Sequence, residues 1–240
     1  MNQSKSLIVT SSWDDGHEND IKLARLLTKY NMKGTFYITK NYKKPLLPEK
    51  IIEISHNHEI GAHTLNHPIL TEITLAEAEK EITGSKIYLE TLLNHSVTMF
   101  CYPCGMYNER IKQLVKKSGF VAARTCKTGN FEFPPDKYEW QISMHLSNGS
   151  PLMTSKMILK NKLLLKTFFD WELRVKYLFD VAFNTGGIFH IWGHSWEFEE
   201  KNEWEKLERV FDYIANRKNI LYKTNGQIFI DPIFDKVVGK

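Results

Sequence analysis

Cysteine is scarce in this 240-residue chain: Cys101, Cys104 and Cys126 are the whole complement, and an odd count argues against the disulfide framework of a small secreted domain. Long apolar runs are missing as well. At the amino terminus only Leu7, Ile8 and Val9 stand together before polar residues resume, far short of a signal-peptide core or a membrane span. The expectation is a cytoplasmic protein with no stable membrane insertion. Charge of one sign is lacking too: 32 basic against 28 acidic residues leave a formal +4, with the acidic residues spread among the lysines. A nucleic-acid binder would gather its positive charge into a stripe, so no nucleic-acid partner is expected. Internal repeats, Ser-rich linkers and low-complexity tracts are absent.

What is present suits one sizeable core, with 42% hydrophobic and 25% charged residues. Period-two apolar runs alternate with helical stretches, the pattern of βα units on a parallel sheet. Strands are predicted over 7–12, 34–38, 59–63, 98–102, 120–124, 140–145, 188–192 and 220–223. Helices are predicted over 19–30, from Pro48, over 74–93 behind a Thr74/Glu77 capping box, from Asn108 to Gly119, over 170–184 and over 202–217. In the first helix Ile21, Leu23, Ala24, Leu26 and Leu27 should face inward. The fold class is α/β, a distorted (β/α)7-type barrel forming a single domain over residues 1–240, with a variable, loop-rich insert about 126–170.

Chemistry gathers at predicted strand ends. Trp13-Asp14-Asp15-Gly16 closes the first strand with adjacent carboxylates, at the barrel rim where loops from every strand converge; an isolated Asp-Asp-Gly would more readily be read as capping the following helix. His63-Thr64-Leu65-Asn66-His67 closes the third. Two imidazoles at this spacing, with a carboxylate from a neighbouring strand end, make a facial site for one divalent ion with open positions. Pro68 biases His67 away from helical geometry, so this is a loop site. The fourth strand runs into Cys101-Tyr102-Pro103-Cys104-Gly105. Cys101 and Cys104 also read as a Cys-x-x-Cys pair, but Cys101 lies within an apolar strand where a redox pair would open a helix.

In this order, Asp-Asp-Gly, His-[Ser/Thr]-x-x-His and Pro-x-Gly at successive strand ends resemble the polysaccharide deacetylases, also called carbohydrate esterase family 4 or the NodB-homology domain. The resemblance is best over about residues 7–125. It implies a hydrolase of a carbon–nitrogen amide bond, most readily de-N-acetylation of a substrate containing an amino sugar, with a small-molecule or oligosaccharide partner. It also implies one divalent metal ion, usually zinc, on Asp15, His63 and His67, and Asp14 as general base. The turn would aim the Cys104 backbone N–H at the developing oxyanion. Where the family carries Arg two residues before the Pro, this chain has Cys101, and Arg124 is the substitute considered. The family's last motif, an apolar strand ending in His, falls on Ile188 to Glu197. His194 is taken as the general acid and His190, deeper in the strand, as a barrel residue, although register could reverse them. Asp170 or Asp136 could supply the acid's carboxylate partner. His145 could face the cleft or pack within the barrel. Trp192, Trp196 and Tyr102 are candidate substrate contacts. The basic segment 156–166 reads as an outer helix in preference to a membrane or anion site. Two alternatives stand: hydrolysis of a non-sugar amide or ureide on the same site, and a non-catalytic carbohydrate-binding relative.

Overall fold

In the computed structural model, which describes residues 6–129, 131–147 and 165–230, the alternating pattern closes on itself. Strand β1 (Leu7–Asp15) pairs in parallel with β2 (Gly34–Ile38) over its second half, and β3 (Glu59–Ala62), β4 (Met99–Cys101) and β5 (Ala122–Thr128) follow in sequence order. On its other edge β1 pairs with β8 (Gly187–Gly193). The gap between β5 and β8 is filled by one extended segment that changes partner. Its first part, β6 (Trp140–Ile142), pairs with β5, and its second, β7 (Met144–His145), pairs with β8. Ser143 is the pivot, donating its N–H to His190 C=O at 2.8 Å. With that segment taken as one strand, the ring has seven members and is nearly closed.

Helices cover the outside because each presents an apolar stripe to the sheet. In α1 (Asp20–Lys29) Leu23, Ala24 and Leu27 are buried, while Ile21 and Leu26 are only partly so. Helix α2 (Pro48–Ser55) begins on its proline. Helix α3 (Leu75–Leu93) carries the expected reciprocal Thr74/Glu77 cap and stops at Asn94, which turns left-handed at φ 54°. Asn108 caps α4 (Glu109–Lys117) by accepting from Ile111 N–H at 3.0 Å. Helices α5 (Trp171–Thr185), α6 (Ser195–Glu200) and α7 (Trp204–Ile214) complete the wall. Trp13, fully buried, meets Phe198 and Phe211 edge-on at 6.2 and 6.1 Å; truncating such a residue to Ala costs about 3–5 kcal/mol.

The floor of the barrel is plugged. Strand β9 (Ile220–Tyr222) pairs with the first residues of β1, below β2, and α8 (Asn225–Ile230) then inserts its first residue. Asn225 is fully buried, accepting from Thr10 Oγ1 at 2.8 Å and donating to the Tyr37 hydroxyl at 3.0 Å. Access is therefore from the opposite, C-terminal rim.

Several expectations shift. The fifth strand begins at Ala122 and continues to Thr128, past Arg124. The helix expected over 202–217 is shorter, and a separate turn of helix, α6, starts directly after His194. Helix α8 was not anticipated. The basic segment 156–166 lies outside the described residues except for its last two positions, which open a 3-10 turn, Leu165–Phe168. Among the described residues no helix is long and apolar enough to cross a membrane.

Candidate active site

Both carboxylates of the Asp14-Asp15 pair are buried at the end of β1, 2% exposed each. Asp14 receives the Arg124 guanidinium, whose Nη2 contacts both of its oxygens, and Trp192 Nε1–H at 2.8 Å. Burial alone would raise the Asp14 pKa. The Arg124 charge, with His63 and His194 adding to it, overrides burial and holds the carboxyl well below its usual range. Arg124 is itself fully buried, with Tyr37 and Trp192 rings 5.2 and 5.1 Å from its guanidinium carbon. Strand register explains how it reaches: Cys101 on β4 and Arg124 on β5 are Cα partners, so both side chains rise into the same part of the barrel. Cys101 Sγ accepts from Arg124 Nη2 at 2.9 Å, and burial pushes its thiol pKa well up.

Asp15 turns the other way. Its backbone takes φ 83°, and its Oδ1 stands 3.6 Å from His67 Nε2 and 3.9 Å from His63 Nε2. His63 Nδ1 lies 2.8 Å from the Cys101 carbonyl. A carbonyl only accepts, so Nδ1 holds the proton and the Nε2 lone pair faces Asp15. Burial pushes the His63 pKa down to about 4, which keeps that imidazole neutral. The loop carrying both histidines is clamped from α3: Glu81 Oε2 accepts from Leu65 and Asn66 N–H at 2.8 and 2.9 Å. Among described residues other than Gly and Asn, positive φ occurs at Asp15, Lys44, Thr64, His67 and Cys104, and all but Lys44 belong to this rim. Each such residue stores about 1–3 kcal/mol, a pattern typical of functional sites.

These residues fit a divalent cation. Ligand atoms of Asp15, His63 and His67 lie within 4.8 Å of one another. A tetrahedral ion with bonds of about 2.1 Å wants its ligands about 3.4 Å apart, close to the 3.6 and 3.9 Å that separate Asp15 Oδ1 from the two imidazoles. A neutral imidazole oriented by a carbonyl is the usual form of a histidine ligand. Asp14, His63 and Cys101 also converge, but Asp14 is committed to Arg124 and the buried Cys101 thiol resists ionisation.

Across the cleft stands His194. Its Nδ1 is 3.2 Å from Glu197 Oε2 and its Nε2 faces Asp15 Oδ2 at 3.9 Å. Burial pulls its pKa down, but Glu197 and the two aspartates more than reverse this, so the net shift is upward. His190 lies inside the barrel, 2.8 Å from Ser12 Oγ and against the Trp140 ring, with burial driving its pKa well down. The turn Pro103–Gly105 is closed by Gly105 N–H to Tyr102 C=O and Met106 N–H to Pro103 C=O. The N–H of Cys104, left-handed at φ 54°, is therefore not spent on closing the turn.

Other expected positions are corrected. Asp170 caps α5, accepting from Glu172 N–H at 2.9 Å, and pairs with Lys206 at 2.9 Å, so it does not partner His194. Asp136 is bound to Lys112 at 3.1 Å. Tyr102 is fully buried, stacked on Tyr107 with its hydroxyl on the Tyr138 carbonyl, and is closed to a ligand. Trp192 and Trp196 do line the cleft, yet their indole N–H groups are spent on Asp14 and Asp15, at 2.8 and 2.9 Å. Three residues escaped the sequence reading. Glu197, three residues after His194, was signalled by that spacing. Tyr42, whose ring is 5.4 Å from His67, and Glu81 carry no local signal.

The sequence profile of the polysaccharide deacetylase family matches residues 2–123, just over half of the chain. Among curated proteins, YxkH of Bacillus subtilis is 31% identical over 130 residues, 52% of this chain and 46% of that protein. The peptidoglycan-N-acetylmuramic acid deacetylase PdaA of Bacillus subtilis is 25% identical over 124 residues, 50% of this chain and 47% of that one. The chain thus spans about half the length of these relatives. A crystal structure from Mycobacterium smegmatis described under the same family name superposes with a TM-score of 0.70 over 99% of this chain and 92% of that one, at 14% identity, which speaks for the fold.

Proposed function

The chain belongs to the polysaccharide deacetylase family, and from that premise we propose that it is a metal-dependent hydrolase removing an N-acyl group, in the first instance acetyl, from a substrate containing an amino sugar. One observation carries the reading. Asp15, His63 and His67 converge on one point, flanked by an ionised Asp14 and a histidine with a raised pKa. A binding protein would have no use for a buried base beside such a point.

Asp15 Oδ1, His63 Nε2 and His67 Nε2 would hold the ion, zinc by the chemistry of the donor set. When bound, that ion supplies acidification of water and polarisation of the acyl carbonyl. The remaining work belongs to the chain. Asp14, ionised and oriented by Arg124 and Trp192, accepts the proton of the attacking water. The Cys104 N–H donates to the carbonyl oxygen as negative charge builds there, an interaction worth about 3–4 kcal/mol in a closed site. Glu197 fixes the proton on His194 Nδ1, so His194 Nε2 faces the cleft and protonates the departing amine.

The test is metal content after zinc loading and desalting, beside amine release from an N-acetylated chito-oligosaccharide. Wild type should hold one equivalent and turn over. Asp14→Asn should keep the metal and lose turnover, and His67→Ala should lose both. Full turnover in Asp14→Asn would sink the assignment of the base, and a metal-free wild type would sink the mechanism.

A further inference from the structure

We propose that His145, which that mechanism leaves unused, is a positioning residue for both proton-transfer groups: its imidazole holds Glu197 to His194 on one side and supports Trp192 on Asp14 on the other. The inference rests on the functional reading above and deepens it.

The observations form a chain of contacts from acid to base. His145 Nε2 lies 2.9 Å from Glu197 Oε2, the same oxygen that His194 Nδ1 meets at 3.2 Å. Ser147 Oγ lies 2.9 Å from His145 Nδ1. Glu197 is ionised, its pKa held low by the two imidazoles in spite of burial, so it accepts from both. His145 Nε2 therefore carries a proton, Nδ1 accepts from the serine hydroxyl, and burial favours this neutral form. Its ring lies 4.3 Å from the Trp192 ring, tilted by 32°, and Trp192 Nε1–H is the group that binds Asp14 Oδ2 at 2.8 Å. One planar side chain thus fixes the carboxylate that sets the His194 tautomer and backs the indole that orients Asp14. His145 sits on β7, the half of the closing segment that has left β5 for β8. The change of partner at Ser143 is what brings it under Trp192.

The same three groups, His145, His194 and Glu197, could in principle hold a cation. Two features favour the hydrogen-bonded reading. Each N–H has an acceptor already, and Lys201 Nζ stands 3.3 Å from Glu197 Oε1, where its charge would oppose a dication.

Two variants of the zinc-loaded chain separate the roles. His145→Phe keeps a flat ring on Trp192 and removes the N–H to Glu197; His145→Gln keeps an N–H and removes the ring. Amine release from the chito-oligosaccharide needs a protonated leaving group, whereas para-nitrophenyl acetate does not. His145→Phe should lower kcat for the amide roughly tenfold or more while ester cleavage stays within about threefold of wild type. His145→Gln should lower both substrates together. Equal loss on both substrates in His145→Phe, or no loss in either variant, would overturn the proposal. So would a second zinc equivalent that His145→Phe abolishes. Nitrogen-15 NMR reads the same geometry without turnover: the His194 Nδ1–H resonance should shift in His145→Phe and the Trp192 indole resonance in His145→Gln. If wild type releases no amine, the functional reading fails, while unmoved resonances would overturn the positioning role by themselves.

Discussion

Replacing Arg124 by Met keeps most of the side-chain volume and deletes the guanidinium charge, leaving Asp14 ionised and buried with only neutral hydrogen-bond partners. Asp14 is 2% exposed and Arg124 is fully buried, so water does not take the guanidinium's place. Breaking a buried pair in this way costs about 3–5 kcal/mol, chiefly because an uncompensated charge stays behind. Trp192 Nε1–H still serves Oδ2, which argues for the lower end, about 3 kcal/mol, or roughly 6–12 °C in Tm for a chain of this size. The assay is urea unfolding of the metal-free protein as a double-mutant cycle: wild type, Arg124→Met, Asp14→Asn, and both together. The two sites should couple by about 3 kcal/mol, with the double variant recovering most of what Arg124→Met loses. The pH dependence carries a sign. In wild type the folded pKa of Asp14 is depressed, so its stabilisation is present above the unfolded carboxylate range and fades as pH falls from about 4 toward the folded value. In Arg124→Met burial acts unopposed by the guanidinium, the folded pKa rises, and the penalty is instead relieved in acid. The gap between the two proteins should therefore narrow on acidification. A gap below about 1 kcal/mol at neutral pH, or one that widens in acid, would refute the reasoning.

Glu197→Gln should retain zinc but lower amine release roughly a hundredfold, with ester cleavage spared, since Glu197 acts through the leaving-group acid; parallel kinetics on the two substrates check it. Glu81→Ala should unclamp the His63–His67 loop and weaken zinc affinity about tenfold, read by competition with a chelator. Gly105→Ala would place a Cβ 2.6 Å from Cys126 N at φ +68°, and should cost about 2 kcal/mol of stability in denaturant and lower turnover by displacing the Cys104 N–H. Asp20 is fully buried beside Ser195, neither carboxyl oxygen makes a hydrogen bond of normal geometry, and burial raises its pKa to about 8. A raised carboxyl pKa favours the native state fully only below the unfolded value, and that contribution is lost as pH rises from about 4 to about 8. Asp20→Asn should thus gain stability over wild type across that window and no gain below it, as thermal unfolding at several pH values will show.

Most of the site was legible in the sequence because its parts are short and local. Asp14-Asp15, the His63–His67 pair and the Pro-x-Gly turn each lie at the end of one strand, and a strand end is readable from period and punctuation. Barrel closure then does the assembly. What was not legible depends on register between strands. Cys101 stands where the family's arginine is expected; Arg124, at the predicted end of the next strand, is the substitute the sequence offers, but only register shows that it reaches Asp14. In a parallel sheet, Cα partners on neighbouring strands point their side chains the same way, so an arginine opposite Cys101 can serve the carboxylate that an arginine at 101 would have served. Asp170 and Asp136, the two carboxylates considered for His194, are engaged elsewhere, and the carboxylate beside His194 is Glu197, in the first turn of α6. Which way His145 faces was left open by the sequence, since a strand that changes partners midway leaves no periodic trace. What the proposed mechanism asks for is a guanidinium at one carboxylate and a carboxylate at one imidazole. The strand that supplies each is free to vary provided register delivers it, which predicts that moving the arginine back, as Cys101→Arg with Arg124→Ala, preserves more turnover than Arg124→Ala alone. Equal activity in the two would mean that the Arg124 contact serves folding only.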